Sequence, residues 1–208
     1  MMNKKVIKQF YSDIVSKEAI RPIMTGVYFE KDWCAASDTH VLVVYNESDP
    51  RFEGKIISAT GEEIKGKYPN VKRVIPADNI DEFKGDLYQL TRALNWWVKQ
   101  ENVHEDDQIV FGKQGFMIRT LRRILNLLSL TAEFQTAKMY LGEKARPCKI
   151  VSENFTSIAM PVQFDEAEVD SEREDGCSTA VSYANLINTF ALESSKPKVA
   201  KPAKYDWL

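Results

Sequence analysis

Histidine and cysteine are the residue types here best suited to hold a metal or act as nucleophiles, and their spacing supports neither role. His40 and His104 stand far apart, and neither lies within ligand spacing of a cysteine, so the chain lacks the local pattern of a zinc site. No serine or cysteine has a nearby base in sequence, although folding can bring one up. Gly112-Lys113-Gln114-Gly115 precedes a helical stretch like a phosphate loop but lacks the full Gly-x-x-x-x-Gly-Lys-Ser/Thr spacing. The acids between 101 and 107 read as a solvated loop. The expectation is a non-enzymatic protein with no metal and no cofactor. What remains is charge. Lys4, Lys5 and Lys8 form one cationic group, and Arg119, Arg122 and Arg123 another. Such groups either meet phosphates without reading sequence or are ordinary solvated helix faces.

These cations must be carried by helices. Val6, Phe10 and Ile14 recur at helical spacing and predict a helix over about 4–16, with the three lysines largely off its apolar stripe. Leu87, Leu90, Leu94 and Trp97 predict a second helix over about 86–99. Ile118, Leu121, Ile124, Leu125 and Leu128 predict a third over about 115–128, with the three arginines off its apolar face. Between them lie runs of β-branched and aromatic residues. Strands are expected at 27–30, 41–45, 55–58, 71–75, 108–111, 131–136, 149–152 and 157–162, with a further one at 139–141. Residues 3–60 and 115–162 both read helix, strand, strand, strand. The fold class expected is α+β, with helices packed on antiparallel sheets.

With 208 residues, 44% hydrophobic and 28% charged, the chain can bury a real core without staples. Three widely spaced cysteines, Cys34, Cys148 and Cys177, suggest no disulfide framework and read as reduced thiols of a cytoplasmic protein. No apolar run approaches the ~20 residues of a membrane span, and the basic start has no apolar region after it, against a signal peptide. The net charge of −2 argues against a simple basic nucleic-acid binder. It still permits a basic lining inside an acidic outside.

Three strings occur in a telling order: Arg21-Pro22-Ile23-Met24-Thr25-Gly26-Val27 running into Ser37-Asp38-Thr39-His40-Val41-Leu42; then Lys67-Tyr68-Pro69-Asn70-Val71-Lys72-Arg73-Val74-Ile75-Pro76; then Ser157-Ile158-Ala159-Met160-Pro161-Val162. Together they resemble the bacterial DNA sliding clamp, the beta subunit of DNA polymerase III, across about residues 3–164. Thr39 and Val41 depart from that family's Gly and Arg. The resemblance implies a DNA-clamp-like domain over 3–164, made of two helix-plus-sheet halves joined at about 67–99. It also implies an apolar pocket for short peptides of polymerases and repair proteins at His40, Leu42, Val74, Pro76, Ile158, Met160 and Val162. Lys4, Lys5, Lys8, Arg119, Arg122 and Arg123 would then line a ring around duplex DNA. The same seven pocket positions also read as plain core or strand-end residues.

The implied function is a replication or repair accessory that binds DNA without sequence specificity and partner peptides specifically. The alternative is a stand-alone adaptor or decoy that binds clamp partners, or a clamp, without encircling DNA. A ring built from one-domain chains takes about six copies, a homo-oligomer. Residues 165–208 read as an acidic linker, a short amphipathic segment over 180–192 and a basic flexible tail. The tail ends in Trp207-Leu208, a pair suited to an apolar pocket.

Overall fold

The computed structural model describes residues 3–77, 81–100, 103–104, 106–143, 146–171 and 180–195. Its first helix, α1 (Lys4–Gln9), begins where the Asn3 side chain accepts a hydrogen bond from the Lys5 N–H at 3.0 Å. It then widens into a π-helical stretch, Phe10–Ile14. Val6, Phe10 and Ile14 are all fully buried, so the widened turn keeps the predicted stripe on the core.

A meander follows: β1 (Val27–Phe29), β2 (Cys34–Ser37) and β3 (Val41–Tyr45), with β4 (Ile56–Ile57) and β5 (Glu63–Ile64) beyond. One short helix, α2 (Val71–Val74), and a short strand, β6 (Asp81–Glu82), lead into α3 (Leu87–Trp97). Asp86 starts α3 by accepting hydrogen bonds from the Tyr88 and Gln89 N–H groups. A hairpin of β7 (Gln108–Phe111) and β8 (Gln114–Met117) runs directly into α4 (Ile118–Leu128). A second meander is β9 (Lys138–Leu141), β10 (Cys148–Val151) and β11 (Phe155–Ala159). The described chain closes with β12 (Ala180–Ser182) and α5 (Tyr183–Ser195).

The two meanders join through antiparallel pairing of β3 with β11. The result is a nine-stranded sheet in the order β5-β4-β1-β2-β3-β11-β10-β9-β6, antiparallel at every pairing. Side chains alternate between its faces. On the helical face Phe29, Val43, Ile150 and Phe155 share one core with Val6, Phe10 and Ile14 and with the apolar stripes of α3 and α4. The helices around 4–14 and 118–128 thus lie on the same side of one antiparallel sheet. On the outer face Leu42, Val44 and Ile158 pack with Met24, Tyr68 and Val71 in a smaller cluster. Both faces are covered at β3, which is why all five of its residues are buried.

Four expectations are corrected. Residues 71–75 are a helical turn rather than a strand: the Ile75 N–H donates to the Val71 carbonyl at 3.4 Å, closing one turn, and both side chains reach the outer cluster. Residues 131–136 are a 3₁₀ turn over Ala132–Thr136 that drops Phe134 into the core. Residues 114–117 extend a hairpin instead of starting the third helix. Gly112 takes φ +59 at the first of its two turn positions, where glycine suits the strand twist. That turn accounts for Gly112 of the phosphate-loop-like motif, while Gly115 lies in β8, where an added Cβ would meet the Phe164 ring at 2.6 Å. Finally, the core extends past residue 164: β12 pairs in parallel with β7, and Val181, Leu186 and Phe190 join the helical-face core. The Trp207-Leu208 end and Cys177 lie outside the described residues.

Candidate peptide groove and basic cleft

Strand register sets out the groove floor. Leu42, Ile158, Lys149 and Tyr140 stand side by side across β3, β11, β10 and β9. Leu42 and Ile158 are roofed by the outer cluster. Towards Lys149 and Tyr140 that roof stops, and a cavity of about 390 Å³ opens between the end of α2 and the β9–β10 hairpin. Val74, Pro76, Ala77, Leu141 and Pro147 give it apolar walls, and Arg73, Arg146 and Lys149 supply charge. Pro76 ends α2 because it cannot extend the helix, which leaves Val74 42% exposed over the opening. The Lys149 ammonium donates to the Pro76 carbonyl at 3.2 Å and sits 5.9 Å from the Tyr140 ring centre. The stem of the lysine thus spans the floor while its head keeps donors free.

A buried glutamine holds the far wall. Gln114, 2% exposed on β8, donates to the carbonyls of Glu143 (2.9 Å) and Arg146 (2.6 Å) and accepts from the Gly142 N–H (2.9 Å). These bonds satisfy loop backbone groups that water would otherwise take. Beside it, the Val162 N–H donates to the Gly115 carbonyl at 2.8 Å. One short strand therefore fixes both the hairpin wall and the exit of β11.

The cations lie elsewhere. A polar cleft of about 660 Å³ runs between the end of the first helix and α4, lined by Lys17, Arg21, His40, Arg119, Arg122 and Arg123 among others. Its arginines are largely committed to the protein. Arg123 binds Asp38 at 2.6 Å and donates to the Asp13 carbonyl and, at 3.3 Å, to that of Ile14. Those carbonyls end the first helix and have no partner further along it. Arg122 donates to Asn95 of α3 at 2.9 Å. Arg119, 41% exposed, pairs with the open Asp106 at 2.8 Å. Lys4, Lys5 and Lys8 are exposed on α1.

The predicted pocket residues therefore fall into separate places. Leu42 and Ile158 are adjacent and buried beneath the outer cluster, next to the groove. Val74 and Pro76 line it. Met160, 37% exposed, is tied by its N–H to the His40 carbonyl at 2.9 Å. The exposed His40 side chain faces the basic cleft, and Val162 leaves towards β8. Sequence reading missed Tyr140, Arg146, Lys149 and Gln114, which look like ordinary strand and loop residues until pairing sets them side by side. Arg73 lies within the second string. Chemistry beyond binding has little to build on. Burial pushes the Cys34 and Cys148 thiols up, against a reactive thiolate. Among the described residues no group of three metal-ligating side chains comes together, and no helix is long and apolar enough to cross a membrane.

No family model and no curated protein matches the chain. Solved structures do. The Caulobacter crescentus beta sliding clamp superposes with a TM-score of 0.63 at 15% identity, over 78% of this chain and 64% of that one. The DNA polymerase III subunit beta of Pseudomonas aeruginosa gives 0.62 at 13%, over 76% and 64%. The DnaN sliding clamp of Bartonella birtlesii, solved bound to griselimycin, gives 0.60 at 15%, over 77% and 63%. The match thus spans less than two thirds of each clamp chain. At these identities the likeness shows the fold, and this chain has the DNA sliding-clamp fold.

Proposed function

We propose that this chain is a non-enzymatic, clamp-like accessory of DNA replication or repair that captures partner proteins by an apolar peptide and contacts duplex DNA through backbone phosphates. One observation carries the peptide half. Three strings far apart in sequence meet on the outer face near the middle of the sheet: the first through β3, the second through α2 and the third through β11. Beside them opens a cavity of about 390 Å³, in the range of small-ligand and side-chain pockets. Apolar walls there remove an incoming side chain from water at about 25 cal/mol per Å².

Fluorescence anisotropy with a short labelled peptide carrying adjacent Leu and Phe tests this half. Val74→Gln should weaken binding by about tenfold without moving the melting temperature, because Val74 is already 42% exposed. Unchanged affinity would overturn the groove.

The DNA half rests on Arg119 and on Lys4, Lys5 and Lys8, the predicted cations least committed to partners within the protein. Removing one cation from a phosphate should reduce the slope of log affinity against log salt by about 0.9. Arg119→Ala with the three lysines changed to Gln should flatten that slope. No salt-dependent duplex binding by the unaltered protein, even at low ionic strength, would remove this half. Mass in solution then decides the assembly: a closed ring takes several copies. A monomer with peptide affinity and no DNA affinity would replace this reading with the adaptor.

A further inference from the structure

We propose that the groove selects acidic apolar peptides, segments of a partner protein in which Asp or Glu flanks the apolar anchor; this rests on the groove being a peptide site. Arg73 on α2, Arg146 on the β9–β10 hairpin and Lys149 on β10 border one opening from three different elements. None of the three makes an ion pair among the described residues. No carboxylate lines the cavity among the described residues. In a chain of net charge −2, three cations with no ion pair among the described residues cluster around an apolar hollow, with Asp81 and Glu82 on the neighbouring strand β6, and such a cluster draws in ligands of opposite charge.

The geometry divides the work. Val74, Pro76, Leu141 and Pro147 receive the apolar side chain. Arg73 and Arg146, both exposed, stand at the rim where flanking carboxylates emerge, and a guanidinium fork holds a carboxylate by two parallel bonds. Lys149 is different. Its stem is partly buried, and one N–H is spent on the Pro76 carbonyl, which leaves two donors aimed from the floor. A nucleic-acid backbone would neutralise the same cations but would bury the two prolines, the valine and the leucine against a charged chain, at a desolvation cost and without an apolar partner. A peptide carrying both chemistries satisfies both sets of residues.

The test is fluorescence anisotropy of the full chain with two labelled peptides of one apolar centre, one flanked by Asp and the other by Asn. The Asp form should bind about tenfold more tightly at low salt, and the preference should shrink as salt rises. In the Arg73→Gln/Arg146→Gln variant the ratio of the two affinities should fall towards one. Both arginines are surface residues, so a matching melting temperature certifies the fold. Equal binding of the two peptides by the unaltered protein would overturn the acidic preference and leave the groove standing. Binding of neither would remove the groove and this inference together. Displacement of the peptide by a single-stranded oligonucleotide, abolished in the same variant, would assign the cations to nucleic acid and overturn the inference.

Discussion

Thr39 takes φ +83 in the turn between β2 and β3, a left-handed conformation that costs a side chain with a Cβ roughly 1–2 kcal/mol. Its N–H is held by the Ser37 hydroxyl at 3.2 Å, and the next two N–H groups are held by Asp38 at 2.9 Å each, so the turn is imposed by its neighbours. Thr39→Gly should therefore raise stability by about 0.5–1 kcal/mol, the relieved strain less the greater freedom of the unfolded glycine. Urea denaturation reads this, and a loss of stability would contradict it. Tyr68 offers the opposite lesson. Its ring stacks on Tyr28 at 5.1 Å in the outer cluster, yet its hydroxyl is buried with no hydrogen-bond partner among the described residues, and burial pushes its pKa up. Tyr68→Phe removes an unsatisfied polar group and keeps the packing. It should leave stability unchanged or raise it by up to about 1 kcal/mol, and a clear drop in melting temperature would reveal a hidden partner.

At the scale of elements, two polar side chains act as clasps. Arg123 ties α4 to the end of the first helix and to the β2–β3 turn through Asp38, Asp13 and Ile14. Arg123→Ala leaves two carbonyls and a carboxylate that is only 15% exposed, and should cost about 2–3 kcal/mol. Arg123→Lys should recover only part of that, because an ammonium cannot reproduce the fork. If alanine costs nothing, the arginine is a free surface cation after all and belongs with the DNA-facing group. Gln114 clasps the hairpin that walls the groove. Gln114→Ala should cost about 1–3 kcal/mol and weaken the labelled peptide by more than about fivefold through loss of the wall. Crystallography or hydrogen exchange of the Gly142 amide distinguishes this local loosening from general destabilisation. Peptide affinity that survives would show the hairpin is held by other means.

At the scale of the molecule, the helical face is completed by chain that lies past the meanders. Val181, Leu186 and Phe190 are buried against the core that holds α3 and α4, and Phe190 packs near Trp96 with ring centres 5.9 Å apart. Ending the chain at residue 164 would uncover that apolar surface and leave β7 without its parallel partner. Each buried Leu- or Phe-sized side chain contributes about 1.5–3 kcal/mol, so the shortened chain should unfold well below the full one or be recovered only as aggregate. Circular dichroism melting reads the outcome, and equal melting temperatures would restore the boundary at 164.

The sequence alone determined what depends on near neighbours. The stripes Val6-Phe10-Ile14, Leu87-Leu90-Leu94 and Ile118-Leu121-Leu125 marked three helices because periodicity is local, and the β-branched run Val41–Tyr45 marked a strand; that both its faces are buried came from the structure. The resemblance of the strings around His40, Val74 and Ile158 implied one pocket, whereas Val74 lines the groove, Ile158 is buried beside it and His40 faces the basic cleft. Tertiary structure decided what those residues face. Short β2, with alanines at its centre, is a strand only because β1 and β3 pair with it. Residues 71–75 coil because the outer face lies beneath them, although their β-branched side chains favour a strand. His40 and Arg123 share a cleft, and Lys149 reaches Pro76, across gaps in sequence that no local pattern records. A side chain's helical or extended setting is written in its neighbours; its partner is chosen by surfaces that remote parts of the chain bring together.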